Sequence, residues 1–163
     1  MRFAFVSRFL AVAPGRSASA VARFDPEDEI FADHFPGFPV VPGVLLTEAM
    51  GQAAGGMLVP VVGEGRWPLL AMIERAKFRR PVSPAEEIRL EARILDLRGE
   101  AYRVATEALV DGRRVADALL VLHSVPLPGD EGRSAAFRAW AVARSRECGL
   151  AGLLAGLEEG EGK

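Results

Sequence analysis

The chain has 163 residues, half of them hydrophobic, with 20 Lys and Arg against 22 Asp and Glu and a formal net charge of −2. That length suits one compact domain with a core of its own, and the near balance of charge removes any bulk electrostatic case for nucleic acid. The single cysteine, Cys148, cannot close an internal disulfide, and no apolar run reaches the ~18 residues that a membrane span requires.

Arg2 and Arg8 interrupt the apolar start of the chain, which argues against a secretory signal; the expectation is a cytoplasmic protein. Residues 2 to 13 read as a first strand, stopped by Pro14-Gly15. From Ser17 to Phe24 the pattern alternates, with Ala18, Ala20, Ala22 and Phe24 on one face and Ser17, Ser19 and Arg23 on the other. A short acidic segment, Glu27 to Ile30, leads into a loop fixed by Pro36, Pro39 and Pro42. An apolar helix is expected from about Val44 to Val59, ended by Pro60 and Gly63.

Four further strands follow: Leu69 to Phe78, Ile88 to Leu97, Ala101 to Val110 and Arg113 to Leu122. Asp111-Gly112 between the last two is a strong two-residue hairpin signal. The final strand is apolar on both faces near Leu119 to Leu122, which suits a central position. Two strands, one long helix and four strands fit a sheet curled around a single helix, an α+β arrangement. Residues 126 to 133 read as a linker, and Ser134 as the N-cap of a helix carrying Phe137, Trp140 and Val142, with Leu150 to Leu157 extending it. The division is therefore a main domain over 1–125 and a linker with a helical extension over 126–163.

The chemistry concentrates between residues 34 and 52. His34 stands in the proline loop, where lost backbone freedom holds a ring in place. Fourteen residues on, Glu48 sits in a helix that looks buried almost all round. A carboxylate there is costly without a partner or a task. Gln52, one helical turn later, could satisfy it or orient it. Desolvation favours the protonated form of a carboxyl group, as a proton donor needs, and a histidine near such an acid makes an acid/base pair. Gly43 and Val44 open the helix, so their N–H groups lack intrahelical partners and suit a developing oxyanion; every helix start shares that geometry, so alone it is weak. Arg75, Lys77 and Arg79 put three cations on one strand, either a solvated face or a docking patch for an acidic carrier or a phosphate. His123 reads as structural. Two histidines without paired-ligand spacing make a metal site improbable, and there is no phosphate-binding glycine loop, dinucleotide fingerprint or nucleophile elbow.

On these residues the chain resembles the 3-hydroxyacyl-[acyl carrier protein] dehydratases of bacterial fatty acid synthesis, which have the hot-dog fold. The match is carried by His34-Phe35-Pro36-Gly37, Pro39-Val40, Pro42-Gly43-Val44-Leu45 and Glu48-Ala49-Met50 through Gln52. Ala76-Lys77-Phe78-Arg79-Arg80-Pro81-Val82 and Ala108-Leu109-Val110-Asp111-Gly112 extend it, so that it covers roughly residues 1 to 124. The resemblance implies a homodimer or higher homo-oligomer whose active sites lie between subunits, His34 from one and Glu48 from the other. His34 would take the proton alpha to a thioester, and Glu48 would assist departure of the 3-hydroxyl as water. The N–H of Gly43 or Val44 would hold the thioester carbonyl, and no cofactor would be needed. The acyl chain would lie in an apolar tunnel with Gln52 and Phe38 among its contacts, while acyl carrier protein would approach Arg75, Lys77 and Arg79.

Several features depart from the family pattern. Phe38 stands where many members are polar, Ser83-Pro84-Ala85-Glu86 replaces the usual turn, the start is shorter than common, and the tail past Pro126 is additional. They suggest a divergent member, in fatty acid or in related polyene or polyketide synthesis. Glu at position 48 favours simple dehydration over dehydration with isomerisation. The rival readings are an acyl thioesterase on the same fold and a non-catalytic module that binds acyl carrier protein.

Overall fold

In the computed structural model, residues 4–63, 65–127 and 131–150 are described. The elements in chain order are β1 (Val6–Ala13), β2 (Ser17–Ala22), α1 (Ile30–Asp33), α2 (Gly43–Leu58), β3 (Arg66–Phe78), β4 (Ile88–Arg98), β5 (Ala101–Val110), β6 (Arg113–Pro126) and α3 (Glu131–Glu147). All six strands join one antiparallel sheet in the order β1-β2-β4-β5-β6-β3. This is the hot-dog arrangement, with α2 as the central helix.

The core lies between α2 and the sheet. Ala49, Met50, Ala53, Ala54, Met57 and Leu58 have essentially no exposed surface and meet Ile88, Leu90, Val104, Leu120 and Leu122 from the strands. Alanines at 49, 53 and 54 let the helix come close to the strands, while the two methionines fill the irregular gaps left between them. Asp111 (φ 50°) and Gly112 (φ 73°) both adopt left-handed backbone, the geometry of a type I′ turn, which closes the β5–β6 hairpin. β6 lies inside the sheet, between β5 and β3, as its two-sided apolar run suggested.

Several expectations need correction. β1 begins at Val6 and β2 ends at Ala22, while β3 begins three residues early, at Arg66. Pro68 inside β3 is tolerated because β3 is an edge strand whose outer side needs no ladder donor. Ser19, placed on the polar face of β2, is buried and donates to Glu91 at 3.0 Å. The acidic segment after residue 26 folds into α1, where Phe31 is buried while the residues around it are not. β6 runs on through Pro126, and α3 starts at Glu131, so Ser134 lies inside the helix rather than at its cap. Leu150 follows the end of α3, and residues 151–157 of the suggested extension lie outside the described residues.

Candidate active site

The chain reaches α2 through a constrained loop. The His34 N–H donates to Ile30 O at 3.2 Å and closes α1, and the imidazole lies edge-on to the Phe35 ring at 4.7 Å between centroids. Phe35 has φ 59° and Gly37 φ 81°, while Phe38 N–H returns to Phe35 O at 2.8 Å. A left-handed aromatic residue costs on the order of 1 kcal/mol or more, so this turn is held by its surroundings rather than by local preference. Val41 N–H bonds Val82 O at 2.8 Å and fastens the end of the loop to the segment after β3.

Pro42 then serves as the N-cap of α2, with no side-chain cap, and its carbonyl takes the N–H groups of Leu45 (2.9 Å) and Leu46 (3.2 Å). The N–H groups of Gly43 and Val44 precede the first intrahelical bond, as anticipated. Glycine at 43 has a further reason that sequence reading missed. A Cβ there would come within 2.9 Å of the Phe78 ring, which lies across the start of the helix.

α2 is not buried all round. Val44 is 74 % exposed, and Gly43, Glu48, Gln52, Gly55 and Gly56 are only partly covered. Glu48, expected to be fully buried, is half-buried, because the glycines and small residues along this face leave room beside it. Gln52 Nε2 donates to Glu48 Oε1 at 3.0 Å. Gln52 Oε1 accepts from the backbone N–H of Phe5 (2.9 Å) and Val6 (3.3 Å). Those two donors fix the amide oxygen toward β1 and leave only the NH2 group for the carboxylate. Gln52 is thereby a positioning residue between β1 and the acid.

Glu48 and Gln52 border a cavity of about 340 Å³, within the size range of small-molecule sites, whose other walls include Val6, Phe9, Trp67, Leu70 and Leu122. The cavity combines the Glu48 carboxylate, the Gln52 amide and, from α3, Arg144 and Ser145 with largely apolar walls. His34, Phe38, Gly43 and Val44 do not line it. Gly43 and Val44 open α2, and Phe35 and Phe38 (66 % exposed) present apolar surface in the loop before it. Glu48 thus borders the cavity, and His34 does not.

Of the three cations, Arg75 and Lys77 lie on β3 while Arg79 follows its end rather than sharing the strand as expected; Arg75 and Arg79 both turn to Asp117 of β6. Arg75 is 3.6 Å from its carboxylate, and Arg79 makes a close hydrogen-bonded ion pair. Asp117 is buried, whereas both arginines are substantially exposed. They therefore satisfy an internal acid while keeping cationic surface toward solvent. His123 is half-buried on β6, opposite Leu69 of β3 and Ala101 of β5. Among the described residues no cluster of three or more His, Cys, Asp or Glu side chains could hold a metal ion.

The contribution of α3 was missed. Trp140, Ala141, Arg144, Ser145 and Cys148 form one side of the cavity. The burial of Ala141, Ser145 and Cys148, spaced by four and three residues, marks a helical face that the sequence could have revealed.

Comparison with known proteins gives the family. The FabA-like domain model matches residues 1–119. The 3-hydroxyacyl-[acyl-carrier-protein] dehydratase FabZ of Granulibacter bethesdensis is 39 % identical over 119 residues, 71 % of this chain and 70 % of that protein. The protein of the same name from Listeria welshimeri is 34 % identical over 127 residues, 77 % of this chain and 88 % of that protein. Among solved structures, the dehydratase heterocomplex ApeI:P from Xenorhabdus doucetiae superposes with TM-score 0.53 at 22 % identity, covering 66 % of this chain and 88 % of that one. An uncharacterized protein from Pyrococcus horikoshii, PH1136, gives TM-score 0.61 at 15 % identity over 77 % and 87 % of the two chains. These two structures share the fold, while the sequence matches carry the relationship: the chain belongs to the FabA-like family, among the 3-hydroxyacyl-[acyl-carrier-protein] dehydratases.

Proposed function

We propose that the protein is a hydro-lyase that converts (3R)-3-hydroxyacyl thioesters on acyl carrier protein into trans-2-enoyl thioesters, in fatty acid synthesis or a related pathway. The observation that carries this reading is Glu48, held by Gln52 at the edge of an apolar cavity, in a chain of this family. His34 takes the proton from the carbon alpha to the thioester, whose carbonyl lowers the cost of the resulting enolate. The Gly43 and Val44 N–H groups, at the positive end of α2, take the enolate oxygen. Glu48 gives its proton to the departing 3-hydroxyl, so the C–O bond breaks, water leaves and the double bond forms. The acyl tail lies along the apolar walls. No step requires a redox or metal cofactor.

His34 and Glu48 must meet for this chemistry, and a second copy of the chain brings them together. The unpaired edge of β3 supports that reading. It presents Leu69, Met72 (58 % exposed) and Ile73 (49 % exposed) beside the exposed faces of Phe78 and Val44. An edge of this length with apolar side chains needs a partner. Pairing β3 with β3 of a second copy joins the loop of one subunit to α2 of the other. Lys77 and the solvent sides of Arg75 and Arg79 flank that edge and suit an acidic carrier protein. No helix among the described residues is long and apolar enough to cross a membrane.

The test is to incubate the purified protein with hydroxyacyl carrier proteins and follow loss of water by mass spectrometry. His34→Ala and Glu48→Gln should each abolish turnover while the oligomer persists. Mixing the two inactive variants under exchange should restore part of the activity, because one site in the mixed dimer keeps both native groups. Full activity of His34→Ala ends the assignment. Absence of any recovery in the mixture ends the shared site.

A further inference from the structure

We propose that α3 is the end wall of the acyl site, and that Trp140, Ala141 and Ser145 set the longest acyl chain the protein accepts. The inference rests on the reading above for its ligand, an acyl thioester whose reacting carbons sit near Glu48. It adds a determinant that the family's common domain does not contain. The family model ends at residue 119, and α3 begins at Glu131.

The first observation is the cavity itself. Glu48 and Gln52 border it on α2, while Trp140, Ala141, Ser145 and Arg144 border it from α3, the Arg144 guanidinium being engaged by Val6 O and Glu147. An acyl chain that starts at Glu48 and follows the apolar walls reaches α3. Glycines 51, 55 and 56 keep the intervening face of α2 free of side chains, and Trp67, Leu70 and Leu122 supply apolar contact.

The second observation is that α3 is fastened in place. Cys148 O accepts the Phe9 N–H of β1 at 2.8 Å, and Val6 O accepts from Cys148 Sγ at 3.4 Å and from the Arg144 guanidinium. The helix ends in a Schellman turn. Leu150 N–H bonds Ser145 O at 2.7 Å, Gly149 N–H bonds Arg146 O at 3.1 Å, and Gly149 has φ 79°. Leu150 is buried beyond it. These contacts cover the β1 edge and fix which side chains of α3 face inward. On the opposite side the Trp140 ring meets Trp67 of β3 at 6.2 Å between centroids. The helix therefore bridges the two edge strands of the sheet across the mouth of the α2 groove.

A fixed wall ends the gain in binding with chain length. Each methylene buried along the cavity should strengthen binding by roughly fourfold, until the chain meets α3 and the gain stops. Removing the indole lengthens the space, and enlarging Ala141 shortens it.

The experiment measures binding of butyryl, octanoyl, dodecanoyl and hexadecanoyl pantetheine to the full-length protein by calorimetry. These saturated thioesters cannot lose water, so binding is read apart from catalysis. In the unaltered protein affinity should climb with length and then level off. Trp140→Ala should move the break to a longer chain, with a gain of about fifteenfold for the first chain past the old break, the worth of two methylenes at fourfold each. Ala141→Phe should move it to a shorter chain, with a loss of similar size. Opposite shifts in the two variants are not produced by mere loosening of the fold, and circular dichroism checks that each is folded. A break that stays put in both folded variants overturns the proposal, as does failure of every thioester to bind. If the break moves but hydroxyacyl thioesters are never dehydrated, the wall stands and the proposed reaction falls. If dehydration proceeds with a length profile indifferent to both variants, the reaction stands and the wall falls.

Discussion

Gln52 ties the acid of α2 to the start of the first strand: its Nε2 donates to Glu48 Oε1 at 3.0 Å while its Oε1 accepts the Val6 N–H at 3.3 Å and that of the preceding Phe5 at 2.9 Å. Replacing it with leucine removes the carboxylate's partner and leaves two backbone donors without their acceptor. Gln52→Leu should lower stability by about 1–3 kcal/mol, the cost of unsatisfied partly buried groups. It should also reduce kcat more than it raises KM, because Glu48 loses its orientation rather than the substrate its cavity. Equal changes in both parameters, with unaltered urea midpoints, would contradict a positioning role.

Two neighbouring glycines should behave oppositely. A Cβ at Gly55 would meet Leu122 Cδ2 at 3.9 Å and Pro68 Cγ at 4.0 Å, ordinary contact distances. Gly55→Ala should therefore gain up to about 1 kcal/mol from the better helix propensity of alanine. A Cβ at Gly56 would stand 2.2 Å from Phe9 Cζ and 2.8 Å from Cε1, so the ring must move toward the cavity. Gly56→Ala should cost about 1–3 kcal/mol through overpacking. Urea unfolding of the pair checks the sign of each change.

The turn from Ser83 to Glu86 carries a pH prediction. Arg80 Nη2 donates to Glu86 Oε1 at 2.9 Å, and Ser83 N–H donates to Glu86 Oε2 at 2.7 Å. The Arg80 hydrogen bond is the main influence and holds Glu86 below its ordinary pKa of 4.5; burial opposes this, and the Ser83 N–H adds to the lowering. A carboxyl group with a depressed folded value contributes stability above 4.5, and that contribution disappears as pH falls through the folded value. Arg80→Met should cost under about 1 kcal/mol at neutral pH, since solvent screens the exposed pair. The gap between variant and parent should close on acidification below 4.5. A gap that is constant with pH would assign the effect to packing of the arginine stem.

The open edge of β3 gives a prediction about assembly. Ile73→Lys places a charge among Leu69, Met72 and Phe78, which are exposed in the single chain. Light scattering should then show the dimer giving way to monomer, and activity should fall with it. A variant that remains dimeric at high dilution would move the interface elsewhere.

Much of the architecture was legible because its signals are local. The Asp111-Gly112 turn needs only two residues with left-handed backbone, and the end of α2 near Leu58 follows from Pro60 and Gly63 beyond it. The strand order was less accessible. Ala20 pairs with Leu90 and Ile73 with Leu120, and no neighbouring residue announces such distant registers. The acid at 48 and its partner at 52 follow from helical spacing, yet the half-open surroundings of Glu48 depend on where β1, β3 and α3 stop. Phe35 shows the same limit. A left-handed aromatic is not a local preference, so only the packed loop reveals it.

The strand order also bears on synthesis. The three consecutive strands β4, β5 and β6 form a meander at the centre of the sheet, while β1, β2 and β3 attach outside it. A ribosome therefore releases α2, with its many buried apolar side chains, before Ile88, Leu90, Val104, Leu120 and Leu122 of the later strands exist to cover it. Until residue 126 has emerged, the nascent chain carries a greasy helix with nothing complete to lie on. The core is complete only once β4, β5 and β6 are made, and the interval before that is when a holding chaperone has most to do.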